Sequence, residues 1–196
     1  TRRSSDLYRT KLGIRGFQFT APVETVAKTA TVADETSDII SDIKSSGSVN
    51  ADEICNITYQ RKFTNGKWAG VVFPFSVSFA QMKKVFGDMV DVIHFESDDE
   101  HNINFRRHWY PMIVAGTPVL IKPAKEMGTS VTFEGVRIDS IVDKADKKVT
   151  EITGTNYKMT GTFTPSTIKN GDYYISGGNL AYRKSGDINT NACRSW

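Results

Sequence analysis

The chain has 196 residues, with 25 Lys+Arg against 22 Asp+Glu, 39% hydrophobic residues, 15 Gly and 6 Pro, enough for one domain, or one domain plus an extension, around a packed core. Charged residues at 24% and aromatics at 11% exclude wholesale disorder. A net charge of +3 is too weak to argue for a nucleic-acid partner, and no apolar run approaches the roughly 20 residues that span a bilayer.

The chain opens with TRRSSDLYRT, in which neither an initiator Met nor a signal peptide is present. Residues 1–50 differ in texture from the rest and read as an N-terminal extension or linker. Leu12-Gly13-Ile14-Arg15-Gly16-Phe17-Gln18-Phe19 alternates as a strand would. The following Thr/Ala/Ser/Asp-rich stretch is too sparse in apolar residues for a core strand. Within it Ile39, Ile40 and Ile43 fall at helical spacing after two capping residues, Asp34 and Thr36, and a short helix is expected over 35–45. Lys44-Ser45-Ser46-Gly47-Ser48 then reads as a turn.

Residues 51–196 have the texture of a β domain. Ile57, Tyr59 and Phe63 alternate with polar residues up to an Asn65-Gly66 turn. WAGVVFPFSV, Trp68 to Val77, reads as a central strand buried on both faces, with Pro74 limiting its pairing. Ser78 caps a short helix carrying Phe79, Met82, Val85 and Phe86, and Gly87 breaks it. Further strands are expected at Val90–Glu96, Ile103–Tyr110, Pro118–Lys122, Ser130–Val136, Tyr157–Phe163, Asp172–Ser176 and Leu180–Lys184. Many short strands with turn residues between them indicate an antiparallel β-sandwich or jelly roll with one short helix.

ITYQRKFTNGKWAGVVFPFSV, PVLIKPAKEMG and YKMTGTFTPSTIKNGDYYISGGNLA occur in that order. Together they resemble a domain recurrent in secreted and cell-surface, adhesin-like proteins of Bacteroidetes-type bacteria. Its members carry ITYxRxF, a Trp before a VPF-like run, a PYLIKAK-like strand and a YYALSGG-like pair. The resemblance covers about residues 56–196 and implies a surface-exposed, non-enzymatic β domain. Two departures stand out. The family's final aromatic strand, of the form FRWYL, is replaced by Cys193-Arg194-Ser195-Trp196, and the acidic loop Glu96–Asn102 lacks the glycine of D-x-D-x-D-G. The first departure leads us to expect an incomplete edge, filled by the Ile14–Phe19 segment or by a strand from another chain.

Several constellations bear on chemistry. Asp98, Asp99 and Glu100 offer oxygens for calcium, but adjacent residues cannot all point inward, and a solvated hairpin tip is the favoured reading. In a hairpin centred on His101, His94 would oppose His108 and Glu96 would oppose Arg106. Two histidines fall short of a zinc site, so polar residues on a wet face are favoured there too. Cys55 and Cys193 form either one disulfide or two buried thiols. No nucleophile elbow, zinc-protease pair or phosphate loop occurs, so no enzymatic activity is expected. Trp109, Tyr110, Tyr173, Tyr174, Tyr182 and Trp196 are candidates for a stacking platform, weighed against plain cross-strand packing. Asp139-Ser140-Ile141 resembles a bacterial O-glycosylation tripeptide. The expected function is thus a surface interaction or structural module of an extracellular assembly, without cofactor, whose partners are other protein chains or a host or glycan ligand. The alternative is a carbohydrate-binding module using exposed aromatics.

Overall fold

The computed structural model describes residues 27–50, 53–138 and 149–196. The expected strand at Leu12–Phe19 and the Asp139-Ser140-Ile141 tripeptide lie outside them. In chain order the elements are β1 (Lys28–Ala33), α1 (Ile39–Ser46), β2 (Cys55–Gln60), β3 (Ala69–Val71), β4 (Val77–Ser78), α2 (Phe79–Phe86), β5 (Asp91–Asp98) and β6 (Ile103–Arg107). Then follow β7 (Met112–Ile113), β8 (Val119–Lys122), β9 (Val131–Val136), β10 (Val149–Thr153) and β11 (Lys158–Thr162). The last are β12 (Ser166–Ile168), β13 (Tyr173–Ser176), β14 (Asn179–Tyr182), β15 (Ile188–Thr190) and β16 (Arg194–Ser195). The fold is mainly β and sandwich-like, built of several sheets.

One sheet runs β1-β2-β9, with β1 parallel to β2 and β9 antiparallel to it. A second runs β3-β8-β5-β6 and a third β10-β11-β16. Pairs β4-β7, β12-β15 and β13-β14 complete the set. The first two sheets share one core: Val32, Ile57 and Phe133 of the first and Val71, Val92 and Ile121 of the second belong to the same buried cluster. Phe133 of β9 meets Phe73, Phe75 and Phe86 with ring centroids 5.1, 5.2 and 6.0 Å apart. These rings fill the layer between the sheets.

The two helices begin where side chains satisfy free amides. Ser78 and Gln81 form a reciprocal capping box at the start of α2, which stops at Gly87 with φ of 100°. At α1 the cap is Asp38, which accepts from the amides of Ile40 and Ser41. Neither residue expected there caps it: Thr36 bonds to Asp42, and Asp34 is spent elsewhere.

Three expectations are corrected by packing. Residues 28–50 are no appendage: Ala30, Val32, Ile39, Ile40, Ile43 and Val49 are buried in the main core with the rest of the fold. β1 needs only two inward residues to serve as an edge strand, so a stretch sparse in apolar residues suffices. The Trp68–Val77 run is buried but is not one strand. β3 is three residues long and lies at the edge of its sheet, and the chain leaves the ladder before Pro74. Finally, Asn191–Trp196 is paired within this chain. The Cys193 amide donates to Thr162 O at 2.7 Å, and Trp196 and Thr160 exchange amide bonds at 2.9 and 2.7 Å. The gap beside β11 is thereby filled.

Candidate binding sites

The β13–β14 hairpin turns through Gly177 and Gly178, both with positive φ, and pairs Tyr173 with Tyr182 and Tyr174 with Ala181. Strand alternation therefore sends Tyr173 and Tyr182 to one face and Tyr174 to the other. The rings of Tyr173 and Tyr182 lie 5.0 Å apart and tilted, and Tyr157 meets Tyr173 edge-on at 6.1 Å. All three are 36–48% exposed. Tyr157 and Tyr173 line a groove of about 600 Å³ together with Trp196, the Glu151–Lys158 ion pair, Lys169 and Asp172. Flat rings flanked by paired charges of both signs suit a neutral, hydroxyl-rich ligand or a polar peptide.

Sequence reasoning missed Tyr157, although it opens the Tyr157–Phe163 run. What positions it lies far off in sequence. The Asp98 carboxylate accepts from the backbone amides of Thr155 at 2.6 Å and Tyr157 at 3.1 Å, and from that of Asn156. Burial works to raise the Asp98 pKa, but the three amides outweigh it and hold the carboxyl below its ordinary value. Asp98 therefore clasps the β10–β11 turn from the end of β5 and is not arranged around a cation. Asp99 likewise spends Oδ1 on the amides of His101 and Asn102, both at 2.8 Å. Among the described residues Asp98, Asp99 and Glu100 belong to no set of three ligands suited to a metal ion.

The β5–β6 register also differs from expectation. A bulge between Phe95 and Ser97 sets His94 opposite Arg106 and Phe95 opposite Phe105. Glu96 and Arg106 still form an ion pair, at 2.6 Å, and His94 and His108 still meet, as diagonal neighbours with centroids 5.4 Å apart. His108 is buried, lies 3.1 Å from Met112 O through Nε2, and meets Tyr110 edge-on at 5.5 Å. Burial, then the nearby His108, pushes the His94 pKa down. Beyond β6 the chain exposes Trp109 at 66% and Tyr110 at 65%, with Met112 and Val114 also exposed. Arg106 lies over the Trp109 ring at 5.5 Å. Trp109 and Tyr110 make no ring contact with Tyr173 or Tyr182, and Tyr174 lies on the opposite face of the hairpin, so the six expected residues do not form one platform.

Tyr174 lines a second cavity, of about 500 Å³, with Arg61 and Arg194, which belong to a polar network that sequence reasoning did not single out. Asp34 receives both Arg194 Nη2 contacts, at 2.7 and 2.8 Å, and the Tyr59 hydroxyl at 2.7 Å. Arg61, 7% exposed, donates to the carbonyls of Cys193 at 3.1 Å and Gly70 at 3.2 Å and lies 4.5 Å from the Phe63 ring centroid. Burial, reinforced by Arg194, lowers the Arg61 pKa to about 10. The ITYQRKF run that carried the family resemblance thus supplies a buried joint, in which Tyr59 and Arg61 hold the last residues of the chain. Cys55 and Cys193 are both free, buried thiols, so the disulfide alternative is not the one adopted. Burial pushes the Cys193 thiol up to about 12, which keeps it protonated and inert.

No family model matches the chain, and no curated protein or solved structure matches it.

Proposed function

We propose that this chain is a non-enzymatic interaction module of a larger extracellular or cell-surface assembly. The observation that carries the reading is the exposed apolar stretch after β6, which runs through β7. Trp109, Tyr110, Met112 and Val114 are each 44–66% exposed within six residues, on a fold with ample core to bury them. Clustered aromatics of this kind are the anchors protein interfaces favour. The family resemblance of ITYQRKF and YYISGG supports the same reading and suggests the surface location. A photo-crosslinking residue at position 109, tested in expressing cells, should yield a discrete heavier protein species. Crosslinks to lipid alone, or none, would overturn the proposal.

A second reading is favoured by the Tyr157–Tyr173–Tyr182 row, namely a carbohydrate-binding module. On a glycan array the parent should then bind and the Tyr173→Ala/Tyr182→Ala variant should not. A parent that binds no glycan removes this reading and leaves the first intact.

A further inference from the structure

The cavity on the Tyr174 side of the hairpin differs in charge from the tyrosine groove. Among the described residues its lining includes Arg61, Lys62, Lys67 and Arg194 and no Asp or Glu. Arg194 is neutralised by Asp34 at 2.7 Å. Arg61 feels Asp34 only from beyond ion-pair distance: among the described residues no carboxylate lies within 4 Å of its guanidinium, and its two hydrogen bonds go to carbonyls. Nor do the ammonium groups of Lys62 and Lys67 have an ion-pair partner among the described residues. The stem of Lys67 packs against Gly178, where a side chain would displace it, so the hairpin tip seats this lysine at the rim. A buried cation facing a cavity is costly unless an anion compensates it. Here Arg61, Lys62 and Lys67 line the cavity, and among the described residues its lining holds no anion.

We propose that this cavity binds the carboxylate of an acidic saccharide of the uronic or sialic acid type. The carboxylate lies against Arg61, Lys62 and Lys67, where charge-assisted hydrogen bonds are strongest. The half-buried Trp68 and Tyr174 offer ring surface to the sugar, and Thr64, Asn189 and Thr190 offer partners to its hydroxyls. The volume falls within the roughly 300–1,000 Å³ of small-ligand sites. The inference uses neither the Trp109 loop nor the tyrosine row and stands or falls apart from both.

Calorimetric titration of the full chain with glucuronate, N-acetylneuraminate, glucose and an aspartate-rich peptide tests it. Saturable binding of at least one sugar acid is expected, weakening with added salt, with glucose about tenfold or more weaker. Because Arg61→Ala would also disturb folding, the informative variant is Lys62→Gln/Lys67→Gln. It should melt like the parent and bind the acid about tenfold more weakly. Tyr173→Ala, on the other face of the hairpin, should leave this binding unchanged. Absence of saturable binding to either acid, equal binding of glucose, preference for the peptide, or an unaltered affinity in the double lysine variant would each overturn the proposal.

Discussion

Tyr59 is fully buried, and its single hydroxyl has three neighbours. It lies 2.7 Å from Asp34 Oδ1 and 3.1 Å from the Ala192 carbonyl, both acceptors, and accepts from Arg194 Nη1 at 2.9 Å. Tyr59→Phe keeps the ring in the core and deletes this junction alone, leaving buried partners short of a bond. The expected loss is about 1–3 kcal/mol, read as a lower urea midpoint at unchanged slope. The same cluster predicts acid sensitivity. Burial raises the Asp34 pKa, but hydrogen bonds from Arg194 and Tyr59 outweigh it and the net value falls below the ordinary 3.8. Its stabilisation is therefore present above that ordinary value and is lost as pH falls through the depressed one. His94 acts at milder acidity. Its folded pKa lies below the usual 6.5, so below that pH the unfolded chain binds the proton more readily and stability declines. Melting temperature followed against pH should show His94→Gln gaining on the parent below about 6.5 and not above it. Parallel curves would show that the imidazole is as easily charged in the fold as outside it.

Among the elements, β3 combines two properties rarely found together, an edge position and the burial of Gly70 and Val71. Its outer side is covered by the end of the chain: a Cβ on Gly70 would collide with the Ser195 carbonyl, and Ser195 Oγ donates to Val119 O of the neighbouring β8 at 2.9 Å. Gly70→Ala should therefore push β16 off and lower the melting temperature, although the added methyl is apolar and small. Val72, just past β3 and fully buried, packs against Gly161 of β11. Val72→Asp should cost several kcal/mol, about what burying an unpaired charge does, and a variant that melts like the parent would contradict this packing. Periodicity could show that this run is buried, because burial is a property of the residues themselves. It could not show what covers the run, because that comes from residues some 120 positions away. The same division runs through the hairpin of β5 and β6. Alternation placed His94, Arg106 and His108 on one face, whereas the bulge at Glu96 shifted the opposed pairs and left no mark in composition. That adjacent Tyr173 and Tyr174 face opposite ways was likewise legible from strand alternation, whereas the meeting of Tyr173 with Tyr182 depends on register and that of Tyr157 on Asp98.

At the scale of the whole molecule, one core runs from Ala30 to Cys193, so its two ends in sequence are adjacent in space. Asp34 near the start, Tyr59 and Arg61 after the first core strand, and Ala192–Arg194 at the end meet in one network. Closing such a contact costs loop entropy that local pairs do not, and so the network should form late and break together. Truncation after Asn191 tests this. It removes the Cys193 and Trp196 backbone bonds to β11, the Ser195 bond to Val119, the Arg194–Asp34 pair and one acceptor of Arg61. Each is worth about 1 kcal/mol or more, against a total stability of about 5–15 kcal/mol for a domain. It also exposes the unpaired side of β11, an invitation to aggregation. The truncated chain should lose its sharp cooperative melt and its dispersed amide NMR spectrum, while Arg194→Ala alone should only lower the midpoint. A truncated chain that melts cooperatively near the parent temperature would show that the last five residues lie on a finished fold and do not close it.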